Sequence, residues 1–178
     1  MSGCSQHTNL LDSAAKGKFS LFRSQLKVSL KNTPPPLVFQ PKASKGSPLI
    51  LAAQKGQNKI VSYILNNFLE HLELEYTMTL KSDVAGHEIK GATALWCAAS
   101  GGNINIVREL IGAGANINHS TATNTTPLSA AIYHNRQAVI EYLLIQGADS
   151  SIADQEGLAP IMIAVLRDDE DAFRLLGK

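Results

Sequence analysis

The feature that most constrains this sequence is an internal repeat of 33 residues. Three segments align without gaps from Gly91, Asn124 and Gly157, so both offsets are 33 residues (124 − 91 and 157 − 124). A fourth copy starts at Lys45, and a degenerate fifth copy, NLLDSAAKGKFSLFRSQL, starts at Asn9. Such a period predicts a stack of similar units, each of which buries its apolar face against its neighbours.

Each copy carries the signals of two short helices joined by a turn. A Ser or Thr can cap the first helix, and a proline fits its first turn because no N–H is needed there. An Ala-Ala pair lets neighbouring first helices approach closely, and a glycine then ends the helix. Apolar residues recur at helical spacing in the second helix. The residues are Ser47, Thr93 and Thr126 (caps), Pro48, Pro127 and Pro160, the pairs Ala52-Ala53, Ala98-Ala99 and Ala130-Ala131, the turn residues Gly56 and Gly102, the stripes Ile104, Val107, Leu110, Ile111 and Val139, Leu143, Leu144, and the closing Gly114 and Gly147.

The period and the pattern T-P-L-x-x-A-A-x-x-G resemble the ankyrin repeat. The resemblance implies an all-α ankyrin-repeat solenoid of about five helix-turn-helix units, with short β-hairpin fingers and one enlarged hairpin insertion. We place the units at about residues 9–30, 44–68, 89–118, 122–151 and 155–178 of a single domain, 1–178. The last unit stops before a Gly-Ala closure. Either the acidic run from Asp168 to Asp171 is a charged cap, or the chain is a fragment of something longer.

A triple proline interrupts the period between the first two units. Pro34, Pro35 and Pro36 predict an extended, stiff segment. It can be read as a surface loop or as a Pro-rich recognition motif.

An insertion interrupts the period a second time. Pro48 and Ala94 are 46 residues apart, which is about 13 more than one period (46 − 33). Within the extra residues, at about 69–88, LELEYTMTL alternates apolar and polar residues, which predicts a strand and an enlarged β-hairpin. The hairpin either helps to bind a partner or only packs on neighbouring fingers. Its apolar side consists of Leu72, Leu74, Tyr76, Met78 and Leu80.

Two segments go beyond the general repeat and resemble the Fem (feminization) family. The matching residues are Gly86, Glu88, Ile89, Gly91, Ala92, Leu95 and Trp96, then Thr123, Asn124, Thr126, Pro127 and Leu128. The resemblance implies a substrate receptor of a cullin-RING ubiquitin ligase, whose concave face captures the C-terminal degron of a target. Ala85 and His134 stand where that family has acidic residues for a basic tail. The family's cullin-recruiting box lies downstream without a counterpart here, so a cullin context requires a longer chain.

The groove of an ankyrin stack is lined by finger tips and by the residues after the Ala-Ala pair. A protein or peptide ligand is therefore expected there. Trp96 is read as a core aromatic or as a pocket wall, and Tyr133 is the best hot-spot candidate. The alternative to a degron receptor is a generic scaffold that binds a folded partner without a ubiquitin role. The predicted partner-binding residues are Trp96, Ser100, Thr123, Thr125, Ser129, Tyr133, His134, Lys90 and Arg167.

Charge and motif content argue against other function classes. Lys and Arg number 16 and Asp and Glu 15, so no field of one sign favours nucleic acid or a membrane as partner. The 5 histidines lack metal-ligand spacing, and no G-x-x-x-x-G-K-[ST] or G-x-S-x-G motif occurs. We therefore predict no enzyme, no metal and no cofactor. Cys4 and Cys97 are read as reduced thiols, and no secretory signal is visible, so we expect a cytoplasmic or nuclear protein.

Overall fold

The computed structural model describes residues 10–39, 47–81 and 88–177. Within these ranges the chain forms α-helices and one antiparallel pair of strands. The elements in chain order are α1 (10–15), α2 (Phe19–Asn32), α3 (Pro35–Phe39), α4 (Pro48–Gln54), α5 (Asn58–Phe68), a 3₁₀ turn (Leu69–His71), β1 (Met78–Lys81), β2 (Glu88–Ala92), α6 (Ala94–Gly101), α7 (Ile104–Gly112), α8 (Pro127–Tyr133), α9 (Gln137–Ile145), α10 (Pro160–Leu166) and α11 (Glu170–Leu176).

The helices of successive units pack in two layers. The first helices α4, α6, α8 and α10 pack side by side in one layer. The second helices α5, α7, α9 and α11 pack in the other, and each also contacts the first helix of its own pair. The pair α1–α2 precedes this stack, and α2 packs against α5. The predicted solenoid of helix-turn-helix units is confirmed.

Side-chain oxygens start the first helices at the predicted residues. Thr93 Oγ1 accepts the Trp96 N–H at 3.2 Å, and Thr126 Oγ1 accepts the Ser129 N–H at 3.2 Å. Ser47 caps α4 in the same way. Such a cap stabilises a helix by about 1 kcal/mol because it satisfies an N–H that has no partner within the helix.

The core lies between the two helix layers. All three predicted alanine pairs are at most 1% exposed, which lets the first helices approach closely. The stripe of the second helices is offset from the prediction, because Ile106 and Ile140 are fully buried while Ile104 and Ile111 are only partly buried. The buried stripe of a second helix therefore follows the spacing i, i+1 and i+4, where i is Ile106 in α7. Ile104, two residues earlier, and Ile111, five residues later, lie at the edges of this stripe.

In three units a side chain at the start of the second helix ties the unit to the preceding one. It donates a hydrogen bond to a carbonyl oxygen near the end of the previous first helix, beside a residue with positive φ. We call these bonds the inter-unit bonds. They are Gln57 Nε2 to Ala15 O (3.4 Å), Asn103 Nδ2 to Ala53 O (3.2 Å) and Arg136 Nε to Ser100 O (3.0 Å).

The last unit differs at this position. Asp169 stands there, and a carboxylate cannot donate to a carbonyl oxygen. Its Oδ1 instead accepts the Ala172 N–H of its own helix at 3.0 Å, while Oδ2 is buried without a partner among the described residues. No inter-unit bond of this kind therefore ties α11 to the unit before it.

The triple proline does not form the predicted extended segment. Residues Pro35–Phe39 form helix α3, so both the loop and the Pro-rich recognition motif are wrong readings of this stretch. Proline fits the first turn of a helix, and the apolar residues behind it supply the driving force. Val38 and Phe39 are 2% and 0% exposed, and the Phe39 ring lies 5.1 Å from the Phe68 ring. Residues 40–46 of the link lie outside the described residues.

The insertion forms a shorter hairpin than the alternating pattern predicts. Strand β1 starts only at Met78, and Leu80 lies opposite Ile89 of β2. Residues 72–77 are irregular, with a turn in which the Tyr76 N–H donates to Glu73 O at 3.1 Å. Because β2 ends at Ala92, before the cap of α6, a longer β1 would have no partner strand. The five predicted apolar side chains still pack against the core. Residues 82–87, which include Ala85, lie outside the described residues.

We expect Gly102→Ala to lower the free energy of unfolding by about 2 kcal/mol, because a left-handed backbone strains alanine. Gly102 has φ of 78°, and an added Cβ would meet Arg136 Cδ at 2.8 Å. Urea denaturation measures the change. Gly112→Ala in α7 is the matched control, since its Cβ would meet nothing within 4 Å, and we expect a gain of up to about 0.5 kcal/mol. Equal unfolding free energies for the two variants would contradict the left-handed turn at Gly102.

Candidate partner-binding groove

The fingers, at about residues 88–92, 121–125 and 154–158 between successive units, lie side by side and border the candidate groove. The Ala122 N–H donates to Lys90 O of β2 at 2.8 Å, and the Gln155 N–H donates to Thr123 O at 2.9 Å. Backbone bonds therefore connect three successive fingers. The hydroxyls of the middle finger form a chain, with Thr123 Oγ1 at 3.0 Å from Thr121 Oγ1 and at 3.1 Å from Thr125 Oγ1.

Tyr133 joins this row of fingers to the first helices. It is the last residue of α8, and its hydroxyl donates to Asp154 Oδ2 in the next finger at 2.8 Å. Asp154 Oδ1 accepts the N–H groups of Glu156 and Leu158, both at 2.9 Å. Both oxygens of Asp154 are thus occupied. Burial of the phenol, followed by the bond to Asp154 and the charge of that carboxylate, raises the pKa of Tyr133 to about 12. Tyr133 is therefore a protonated, fixed donor at neutral pH.

Three basic side chains lie near the end of α8. His134 and Arg167 are the C-cap residues that follow α8 and α10, and Arg136 reaches back across the end of α6. Partial burial, followed by the positive charges of Arg136 and Arg167, lowers the pKa of His134 below its usual 6.5. His134 is therefore uncharged at neutral pH, and the two arginines supply the local positive charge. The arrangement can hold a carboxylate or accept a hydrogen bond on the imidazole.

Seven of the nine predicted residues have surface along this groove. Lys90, Thr123, His134 and Arg167 are exposed, and Ser100, Thr125 and Tyr133 are half-buried. Their contact with a partner stays a prediction. Arg136 bonds to Ser100 and lies near His134, and Arg167 lies near both His134 and Tyr133. Lys90, Thr123 and Thr125 lie on the fingers.

The two remaining predictions are corrected by burial. Ser129 is 0% exposed, and its Oγ lies 3.1 Å from Thr126 Oγ1, so it has no surface for a partner. Trp96 is 5% exposed and belongs to the core, which contradicts the pocket-wall reading. The two residues occupy the same place in successive repeats (96 + 33 = 129). This place follows the cap by three residues and faces the neighbouring helices.

Sequence reasoning missed two residues that organise the groove. Arg136 stands 33 residues after Asn103 (136 − 103), so the repeat alone places it at the start of a second helix. That the Arg136 side chain extends across Gly102 is seen only in the structure. Asp154 lies in a finger, three residues before Gly157, a spacing typical of a tight turn. Its hydrogen bond to Tyr133 joins residues 21 positions apart, and no local sequence pattern indicates it.

A carboxylate fastens the insertion to the finger of the next unit. Glu75 Oε1 accepts the Asn116 N–H at 2.8 Å, and Oε2 lies 3.0 Å from His119 Nδ1. The insertion therefore packs on the neighbouring finger. Its second predicted role, binding a partner, stays a prediction.

The described residues give little support for a metal site or a reactive thiol. Among the described residues, no group of three His, Cys, Asp or Glu side chains is arranged to hold a metal ion. Burial raises the pKa of the Cys97 thiol to about 12, which disfavours the reactive thiolate. No helix in the described ranges has the length and apolar character needed to cross a membrane.

Known proteins share the repeat. A family model described as ankyrin repeats (3 copies) matches residues 10–121 and 49–154. The chain is 34% identical over 85 residues to a fem-1 homolog of Drosophila melanogaster, which is 48% of this chain and 12% of that protein. It is 39% identical over 67 residues to the E3 ubiquitin-protein ligase KEG of Arabidopsis thaliana, which is 38% of this chain and 4% of that protein. It is 26% identical over 106 residues to a tyrosine-protein kinase of Hydra vulgaris, which is 58% of this chain and 14% of the kinase. The match thus spans only a small part of each of these relatives.

We expect Tyr133→Phe to lower the free energy of unfolding by about 1–2 kcal/mol, because Asp154 Oδ2 loses its donor. The folded-state pKa of Tyr133 lies above its ordinary value of 10.0. The stabilisation is therefore complete below pH 10 and is lost as the pH rises towards 12. Urea denaturation from pH 8 to 12 should give a steeper loss of stability for the natural chain than for Tyr133→Phe. Tyr142→Phe is the control, and an equal loss in all three proteins would contradict the assignment.

We expect Glu75→Ala to lower the free energy of unfolding by about 1 kcal/mol, because the insertion loses both contacts to the next finger. Chymotrypsin should then cleave faster after Tyr76. Glu73→Ala, two residues earlier at an exposed position, is the control and should leave the cleavage rate unchanged. Identical cleavage of both variants would count against the tether.

Proposed function

Because the chain belongs to the ankyrin-repeat family, we propose that its groove receives a protein partner between the fingers and the ends of α6, α8 and α10. Stacked repeats bind partners along extended concave surfaces. The observation that carries the proposal is a row of side chains with surface on connected fingers and helix ends: the exposed Lys90, Thr123, His134 and Arg167 and the half-buried Tyr133.

Preorganisation supports binding at this surface. The finger backbones are bonded to one another, and Tyr133 is fixed by Asp154, so little freedom remains to be lost when a partner binds. Tyrosine contributes more than average to binding energy at interfaces, and here its hydroxyl is already satisfied while the ring keeps some exposed surface. We assign no catalytic step to the groove, whose role is to hold a partner.

The more specific proposal is a substrate receptor that captures a C-terminal degron for a ubiquitin ligase. It is supported by the similarity to the fem-1 homolog and to the plant protein named as an E3 ubiquitin-protein ligase. The Leu95-Trp96 and Thr123–Leu128 segments carry the family resemblance. A cullin contact would come from further sequence in a longer chain.

The second candidate is a scaffold that binds a folded partner without a ubiquitin role. The longer match, to the Hydra tyrosine-protein kinase, favours this reading, because it shows the same repeat within a protein of another name and activity. A folded partner would contact the finger tips and would not need a free chain end.

A peptide-display screen with free C-termini separates the two candidates. We expect a defined tail to be enriched, and amidation of that tail should abolish binding. Enrichment of internal segments alone, or capture of folded domains alone, would contradict the degron receptor and support the scaffold.

A groove-blocking variant tests the location of the site. Thr123→Arg places a long side chain on an exposed finger position and should weaken the selected ligand at least about tenfold, which is typical of an obstruction at an interface core. Asn105→Arg, exposed on α7 in the other helix layer, is the matched control with the same change of charge. Equal affinity of both variants would place the partner elsewhere.

A further inference from the structure

A basic side chain lies at the end of the first helix in four successive units. Lys55 caps the C-terminus of α4, His134 that of α8, and Arg167 that of α10. Helix α6 ends in Gly101 and Gly102 without a side chain, and Arg136 of the next unit covers that place. We call these four residues, Lys55, Arg136, His134 and Arg167, the basic row.

A hydrogen bond and a close contact with Gly102 hold the Arg136 side chain in the row. Its Nε donates to Ser100 O at 3.0 Å, and its Cδ lies 2.8 Å from where a Cβ on Gly102 would be. The bond uses Nε only, so the two terminal nitrogens of the guanidinium keep their donors for a ligand. The missing side chains of α6 thus make room for the arginine of the following unit.

The charge of the row is not neutralised within the described residues. Lys16, at the matching place of α1, forms an ion pair with Asp12 at 2.9 Å. Lys55, Arg136 and Arg167 form no such pair in the part of the chain that the structure describes.

Asp154 and Glu156 act electrostatically on Tyr133, but no carboxylate beside the basic row forms an ion pair with that row among the described residues. Asp154 is bonded through both oxygens to Tyr133 and to its own finger, and Asp169 caps α11. Asp168 follows Arg167 with a left-handed φ of 55°, and it makes no ion pair with that arginine. The side of the groove at the helix ends therefore carries unpaired positive charge, although the whole chain has a formal net charge of only +1.

We propose that the basic row binds an acidic peptide in extended conformation, whose Asp or Glu side chains pair with Lys55, Arg136 and Arg167. The inference rests on the proposed protein-binding function and adds the chemistry of the partner. Packed helices lie about 10 Å apart, so a single carboxylate cannot reach all three cations. An extended chain in the polyproline II conformation advances about 3.1 Å per residue with three residues per turn. Acidic residues three positions apart therefore lie on one side of the peptide, roughly 9 Å apart, and would face successive units.

The same charges disfavour a basic partner. A Lys or Arg tail would meet Arg136 and Arg167 without a carboxylate to compensate, and such like-charge contacts exclude a ligand. His134 occupies the middle of the row, where the positive charge of both arginines acts on it. The specificity is therefore opposite to that of an acidic pocket for a basic tail.

Three fluorescein-labelled 12-residue peptides test the inference by fluorescence anisotropy. One has Glu at every third position with Ser and Gly between, the second has Gln in place of Glu, and the third has Lys. We expect the Glu peptide to bind at least about tenfold more tightly than the others, with an affinity that falls as salt is raised. A 12-residue oligo-dT is the polyanion control and should bind more weakly than the Glu peptide.

Two double variants with equal net charge locate the site. Arg136→Gln/Arg167→Gln should weaken the Glu peptide at least about tenfold. Glutamine at 136 can keep the bond to Ser100 O, because Gln57 donates to Ala15 O from the equivalent position. Arg108→Gln/Arg174→Gln removes two arginines from the second helices and should leave the affinity unchanged. Circular dichroism checks that both variants fold.

The results separate this inference from the function on which it rests. Equal binding of the Glu and Gln peptides, an equal effect of the two double variants, or tighter binding of oligo-dT would overturn the acidic-peptide site. If the display screen still selects peptides without acidic residues, the protein-binding function stands and only the inference fails. If neither peptides nor folded domains are captured, the proposed function fails as well.

Discussion

The close packing of small first helices is the constraint on which the rest of this structure depends. The buried alanine pairs bring α4, α6 and α8 close enough for a side chain of one unit to reach a carbonyl oxygen of the unit before it. Bulkier residues would hold the helices apart and leave those carbonyls unsatisfied. The same closeness sets neighbouring fingers within backbone hydrogen-bond distance. The groove is thus a product of interior packing, although its own residues lie at the surface.

Much of the fold could be predicted because its signals are local and repeated. The caps Ser47, Thr93 and Thr126 and the left-handed Gly56 and Gly102 each act within a few residues and recur with the period. The failures arose where a tertiary contact overrode a local preference. Three prolines favour an extended chain, but burial of Phe39 against Phe68 made their neighbours helical. The alternating insertion could form a strand only as far as β2 offered a partner.

The sequence predicted where the residues of the candidate site lie, but it did not predict which side chains contact one another. The repeat identified the residues at the ends of the first helices, and Tyr133, His134 and Arg167 do lie together. It could not tell which residues near the cap turn inwards, so Ser129 was assigned to the surface and Trp96 was left open between the core and a pocket wall. The bond between Tyr133 and Asp154 and the reach of Arg136 over Gly102 depend on the spacing between units, which the sequence does not state. The distribution of charge could not be predicted from the sequence either. The numbers of basic and acidic residues are nearly equal, but the fold concentrates basic side chains along one side of the groove.

Asp169 gives the final unit a different mechanical character. Where the other units are held by a side chain that reaches back, this one turns its carboxylate onto its own helix and leaves one oxygen buried alone. In a linear array of repeats, each unit is stabilised only by its neighbours. Local unfolding therefore begins at the interface between units that is least stable. Fraying at this interface would carry Arg167 and the Asp154 finger away from Tyr133 together. A ligand that contacts both sides of this interface would therefore stabilise the last unit. Its binding could be followed by slower amide hydrogen exchange in α10 and α11.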